Sequence, residues 1–205
     1  MKMRFKFLGV LLLLLGFLLV PLRSEENYQQ KVEPLRRAGL KLVVYLLPEQ
    51  LPQLPKAVRA YLTANQYLIP QVGKDIPNGA TGNVIRGQFY QKGSDDWAVL
   101  ASKNGVSGIL VFREGKGKPD ELAAFPDLDY MTYPRNDNLT ETPRFSREIA
   151  PVEGEVIIGY YRAFGGPEPP AALEYQGISN CFLDECVSRI WYYYQGKWNW
   201  YQGRD

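Results

Sequence analysis

Three pairs of carboxylates in this 205-residue chain stand close enough in sequence to suggest acid–base chemistry: Asp95 with Asp96, Asp127 with Asp129, and Glu153 with Glu155. Two acids facing each other across a sugar are all that a glycosidase requires. Each pair also has a plainer reading. Asp95 and Asp96 precede an apolar strand, where Asp caps backbone amides, and neighbours on one strand point to opposite faces. Asp127 and Asp129 fall in a stretch rich in Gly, Pro and Asp, without the Gly and Glu of a calcium loop. Glu153 and Glu155 flank Gly154 as solvated turn residues. No catalytic residue is assigned from these pairs.

An absence is more informative. The chain has no histidine, which removes Ser-His-Asp and Cys-His nucleophilic catalysis, His-ligated zinc or copper, and imidazole acid–base work. No GxxxxGK or GxGxxG run stands at a strand-to-helix junction, so nucleotide binding has no support. The net charge is +2, and no block of Lys and Arg follows the first few residues. The electrostatic footprint of a nucleic-acid binder is therefore missing. The expectation is a chain without cofactor or metal, leaning away from catalysis.

Binding offers more. In a strand, Trp191 and Tyr193 share one face, Tyr192 and Tyr194 share the other, and Trp198 and Trp200 align on the partner strand. One face must be core, and the other can display flat rings of the kind that stack against sugars or prolines. The two cysteines, Cys181 and Cys186, are five positions apart. In a strand that separates them by about 16 Å, so a disulfide requires a turn between them, which Asn180 and Asp184 permit. A bridge, two buried thiols and a reactive thiol all remain open. An Asn-x-Thr sequon begins at Asn138.

The elements that must carry these residues are mostly short strands, as fifteen prolines, nineteen glycines and an abundance of Tyr and Trp suggest. Leu54 to Leu68 reads as one amphipathic helix, with Pro55 in its first turn and Val58, Tyr61, Leu62 and Leu68 near one face. Leu40 to Leu47 is undecided between helix and strand. Asn83–Tyr90, Trp97–Ala101 and Gly108–Phe112 read as a meander, with a turn at Asn104 and Gly105. The last two runs are continuously apolar, so both of their faces must be covered. Arg113 to Asn138 reads as a long loop with one helical turn near Glu121. Strands are expected again at Arg144–Ile149, Val156–Tyr161, Val187–Tyr194 and Lys197–Tyr201, the last two joined at Gln195 and Gly196.

At the N-terminus, Lys2, Arg4 and Lys6 precede an apolar run from Phe7 to Leu22, the order a secretion machinery reads. Residues 1–24 are expected to be a signal peptide or an uncleaved signal anchor, with Ser24 the local cleavage candidate. No Cys follows the run, so a lipoprotein anchor is excluded. Residues 25–39 read as a linker and 40–205 as one globular domain, delivered to the periplasm or beyond.

The segments Asn83-Val84-Ile85-Arg86-Gly87-Gln88-Phe89, Asp96-Trp97-Ala98-Val99-Leu100, Ile109-Leu110-Val111-Phe112 and Gly196-Lys197-Trp198 resemble a group of small exported bacterial proteins of uncharacterised function. The Gly87 to Phe112 meander is also similar to a single FG-GAP blade, but Gln91, Lys92, Gly93 and Ser94 replace its acidic calcium loop. The resemblance implies export and brings no catalytic assignment with it. The expected fold is α+β, a mainly antiparallel sheet of about six strands with one N-terminal helix packed on it. The expected function is a non-enzymatic exported domain that binds an envelope or extracellular component or a protein partner, with Trp191, Tyr193, Trp198 and Trp200 as candidate binding residues. A carboxylate-dependent glycan hydrolase and a structural envelope protein are the alternatives.

Overall fold

The computed structural model describes residues 30–72, 83–132, 142–165, 172–182 and 187–203. Residues 1–24, Asn138 and Cys186 lie outside them. In chain order the elements are helix α1 (30–40), strand β1 (Tyr45–Leu46), helix α2 (Lys56–Ala64), then β2 (Ile69–Pro70), β3 (Val84–Gly87), β4 (Asp96–Lys103), β5 (Val106–Phe112) and β6 (Asp120–Pro126). They continue with β7 (Arg147–Val152), α3 (Gly154–Phe164), β8 (Gly177–Phe182), β9 (Val187–Tyr194) and β10 (Lys197–Gln202).

Two antiparallel meanders organise the molecule, β3-β4-β5-β6 and β7-β8-β9-β10, beside a small β1–β2 ribbon. Asn104 (φ 53°) with Gly105 (φ 77°), and Gln195 (φ 51°) with Gly196 (φ 78°), turn the two central hairpins. Left-handed backbone at both turn positions matches the twist of the strands it joins, which is why these two dipeptides mark hairpins in the sequence.

Side-chain alternation explains how the layers stack. Val99, Ala101, Leu110 and Phe112 of the first sheet pack against Val58 and Leu62 of α2. Ala98, Leu100, Ile109 and Val111, on the opposite face, pack against Ile149 and Ile178 of the second sheet. The far face of the second sheet, with Ile190, Tyr192 and Tyr201, is covered by Ile157 of α3 and by Leu173. The order is helix, sheet, sheet, helix. It supplies the double cover that the apolar runs in β4 and β5 demand, and each fully buried Leu, Ile or Phe contributes roughly 1.5–3 kcal/mol.

A buried cation ties the two sheets together. Arg147, at the start of β7, has no exposed surface. Its Nη1 donates to the Ser107 carbonyl (2.6 Å) and hydroxyl (2.8 Å), its Nη2 to the Ala123 carbonyl (2.6 Å), and its Nε to Asn180 Oδ1 (2.9 Å). The Tyr130 ring lies 4.4 Å from the guanidinium carbon. Burial lowers its pKa to about 10. Along one side, β3 lies beside β7, where Asn83 Nδ2 donates to the Arg147 carbonyl (3.3 Å) and the Gln176 amide to the Gln88 carbonyl (2.8 Å). On the other side, β6 and β10 are the outer strands of their sheets.

The antiparallel α+β character agrees with the sequence, and several details correct it. Ten strands replace about six, and three helices replace one among the described residues. Residues 30–39, read as part of a linker, are helical and belong to α1. Val32, Arg36 and Gly39 form the buried stripe of α1, and Arg36 donates to the carbonyls of Met131 (3.2 Å) and Leu128. The helix at 54–68 is shorter, Lys56–Ala64, and Leu68 instead bridges to Ser102. Part of the undecided 40–47 stretch is β1. Val156–Tyr161, read as a strand, lies in α3, where helical spacing puts Ile157 and Tyr160 against the second sheet. Tertiary contact overrides the β preference of Val156, Ile157 and Ile158 there.

The expected loop at 113–138 contains β6. As an outer strand it buries chiefly Leu122, so its apolar signal is weak. Its pairing with β5 shifts register between Ser107 and Ile109, and Ala123 has a positive φ of 52°. That bulge aims the Ala123 carbonyl at Arg147.

Candidate functional site

Asp96 organises one wall of the site. Buried at the start of β4, its Oδ2 accepts from the Phe89 amide (2.9 Å), the Tyr90 amide (3.1 Å) and the Ser94 hydroxyl (2.5 Å). Its Oδ1 accepts from the Glu114 amide (2.9 Å). The loop after β3 is thereby held so that Tyr90 reaches β5 and β6 of its own sheet while its ring meets Tyr193 and Trp198 of the other. The Tyr90 hydroxyl donates its single proton to Asp120 Oδ2 (2.9 Å) and lies 3.1 Å from the Val111 carbonyl, which shares that donor.

Asp120 links both sheets, because the same Oδ2 accepts from Trp198 Nε1 (2.9 Å) at the start of β10. Three rings then meet edge to face. Centroid separations are 4.9 Å for Tyr90 and Tyr193, 5.4 Å for Tyr90 and Trp198, and 5.5 Å for Tyr193 and Trp198. This arrangement sets the positive ring edge against the negative face. The Arg113 guanidinium covers the cluster, 4.2 Å from the Tyr90 ring and 5.5 Å from that of Tyr193. Burial, and then the hydrogen bond and charge of Asp120, push the Tyr90 phenol far above its ordinary value.

These residues wall an open groove of ≈ 890 Å³ that wraps the start of β6. Tyr61 and Tyr67 lie on its other side, and Arg113, Lys118 and Lys197 also line it. Its volume falls within the range of small-molecule sites, roughly 300–1,000 Å³.

The candidate binding residues divide between two places. Tyr193 and Trp198 belong to the groove wall. Trp191 and Trp200 pack on each other 6.1 Å apart, with Arg189 4.7 Å from the Trp200 ring and Trp200 43% exposed. The other face of the hairpin, with Tyr192 and Tyr194, packs in the α3 layer. Both faces are therefore covered at least in part, and the rings form two clusters instead of one platform. Cys181 stands on β8 opposite Ser188; any pairing with Cys186 lies outside the described residues.

The paired acids do different work. Asp95 is exposed and bridges to Arg86 (2.5 Å), whose interaction lowers its pKa. Asp127 is buried, and its Oδ2 accepts from the Ser102 hydroxyl (2.5 Å) and the Tyr45 hydroxyl (3.1 Å). Glu153 precedes α3 and accepts from Gln176 Nε2 (2.7 Å).

Tyr90, Arg113 and Asp120 were not legible as site residues. No motif marks them, and only the folding of the first meander brings these three together, with the second sheet adding Tyr193 and Trp198. Among the described residues, no group of three His, Cys, Asp or Glu is placed to hold a metal ion, and no helix is long and apolar enough to cross a membrane. No protein-family model, curated protein or solved structure matches the chain.

Proposed function

We propose that this chain is an exported, non-enzymatic binding domain whose groove takes a sugar ring of an envelope or extracellular glycan. The observation that carries the reading is the single carboxylate oxygen of Asp120 that fixes Tyr90 and Trp198, one from each sheet, in the wall of an open groove. Rings held in this way supply apolar faces without losing rotamer freedom on binding, so preorganisation favours affinity. Nearby phenols and charges can orient the hydroxyls of a saccharide. Export rests on Lys2, Arg4 and Lys6 ahead of the Phe7 to Leu22 run and on the resemblance to small exported proteins.

The test is tryptophan fluorescence of the full chain in mild detergent, titrated with neutral and acidic oligosaccharides. A saturable change that disappears in Trp198→Ala and persists in Trp200→Ala is expected. A flat titration across the panel, or a Trp198→Ala response equal to wild type, would sink the reading. Release of new reducing ends during incubation would support the glycan hydrolase instead.

A further inference from the structure

We propose that the groove selects acidic saccharides, with a pyranose ring against Tyr193 and Trp198 and its carboxylate or sulfate held by Arg113. The inference rests on the groove being the binding site. It starts from the cations at that site. Several surface cations elsewhere are paired with a carboxylate, among them Arg86 with Asp95, Lys92 with Glu174 and Lys116 with Glu114. Among the described residues, no carboxylate forms an ion pair with Arg113, Lys118 or Lys197, although Glu114 stands next to Arg113 in the chain.

The two acids that line the groove, Asp120 and Glu121, offset part of this charge and leave one cation in excess. Asp120 already accepts from Tyr90 and Trp198 through Oδ2. Glu121 extends from the other face of β6, over Gly108, where its Oε1 lies 3.1 Å from the position a Cβ would take. Three cations therefore stand against two carboxylates around one cavity.

The Arg113 guanidinium carbon lies 4.2 Å from the centre of the Tyr90 ring and 5.5 Å from that of Tyr193, and a planar fork of N–H donors matches a two-oxygen anion. Lys118 and Lys197 add charge without a fixed direction. An anion at Arg113 would sit beside the rings, so a sugar that carries its own acid satisfies both features at once.

The test compares trigalacturonate, its neutral methyl ester, a sulfated galactan trisaccharide and a tetraglutamate peptide. Each is titrated by tryptophan fluorescence into the full chain and into Arg113→Gln and Arg113→Lys, with far-UV circular dichroism confirming that both variants fold. The acid should bind roughly tenfold or more tightly than the ester, consistent with a charge-assisted bidentate contact. Arg113→Gln should abolish that preference, and Arg113→Lys should restore part of it. The sulfated sugar outranking trigalacturonate would identify sulfate as the group selected. Equal binding of acid and ester, or an undiminished preference in Arg113→Gln, would overturn the inference and leave the groove reading standing. Tetraglutamate matching trigalacturonate would overturn the saccharide assignment. No response to any probe would overturn both.

Discussion

Arg147 Nη1 donates to both the carbonyl and the hydroxyl of Ser107, so the first strand of one sheet is anchored to a central strand of the other. Replacing Arg147 by Ala or Met would leave the Ser107 and Ala123 carbonyls and the Asn180 side chain without their buried donor. Each stranded acceptor is destabilising, and the summed loss should be roughly 3–5 kcal/mol in urea unfolding. A loss below ~1 kcal/mol would mean that solvent reaches these groups.

Asp96 gathers four donors from two loops. Asp96→Ala should cost roughly 2–4 kcal/mol, because the Phe89 and Tyr90 amides are buried without it. Hydrogen exchange should accelerate at those two amides before the rest of the sheet. Uniform acceleration would show that Asp96 supports the whole fold instead of the loop.

Asp120→Ala removes the acceptor shared by Tyr90 and Trp198. Stability should fall by about 1–2 kcal/mol, and the fluorescence spectrum should shift to the red as the Trp198 indole is released to water. Asp120→Asn keeps a carbonyl acceptor and should show a smaller shift. An unchanged spectrum in Asp120→Ala would argue that ring packing alone fixes Trp198.

Gln195 occupies a left-handed position (φ 51°) in the β9–β10 turn. Asn tolerates that conformation better, so Gln195→Asn should raise stability by ~0.5 kcal/mol, measured as an increase in Tm. Gly196→Ala, at φ 78°, should lower it by about 1 kcal/mol.

Alkali should unfold the protein. Burial, the leading cause in each case, raises the Tyr45, Tyr90 and Tyr201 phenols well above their ordinary 10.0. Their contribution is complete below pH 10, where unfolded phenols are neutral, and is lost above it as only the unfolded chain ionises readily. Arg147 acts in the opposite sense, since burial lowers its pKa to about 10 on folding. Three phenols against one guanidinium make the net direction downward. The urea midpoint should fall as the pH passes 10, with tyrosinate absorbance appearing at the same transition; a flat midpoint would refute the assignment.

What the sequence discloses follows from how local each signal is. The β4–β5 and β9–β10 hairpins are legible because Asn104-Gly105 and Gln195-Gly196 sit between strong strand formers. The need for two covers on β4 and β5 is legible because Trp97–Ala101 and Gly108–Phe112 within them are continuous apolar runs. α3 is not, since Ile157 is buried by Leu173 and by Ile190, Tyr192 and Tyr201 of strands that come later in the chain. The groove follows the same division. Tyr193 and Trp198 stand out as aromatics, while Asp120 acquires meaning only when Tyr90 and Trp198 arrive from different sheets.

The bulge at Ala123 also bears on self-association. An outer strand is a ready template for a strand from another copy, and regular pairing needs several residues in register. On β6 that register holds only from Asp120 to Leu122 before the positive φ at Ala123 breaks it, and two of those three residues are acids. Pro126 closes the strand without an N–H to offer. The same distortion that supplies an acceptor to Arg147 thus makes this flank a poor nucleus for edge-to-edge aggregation.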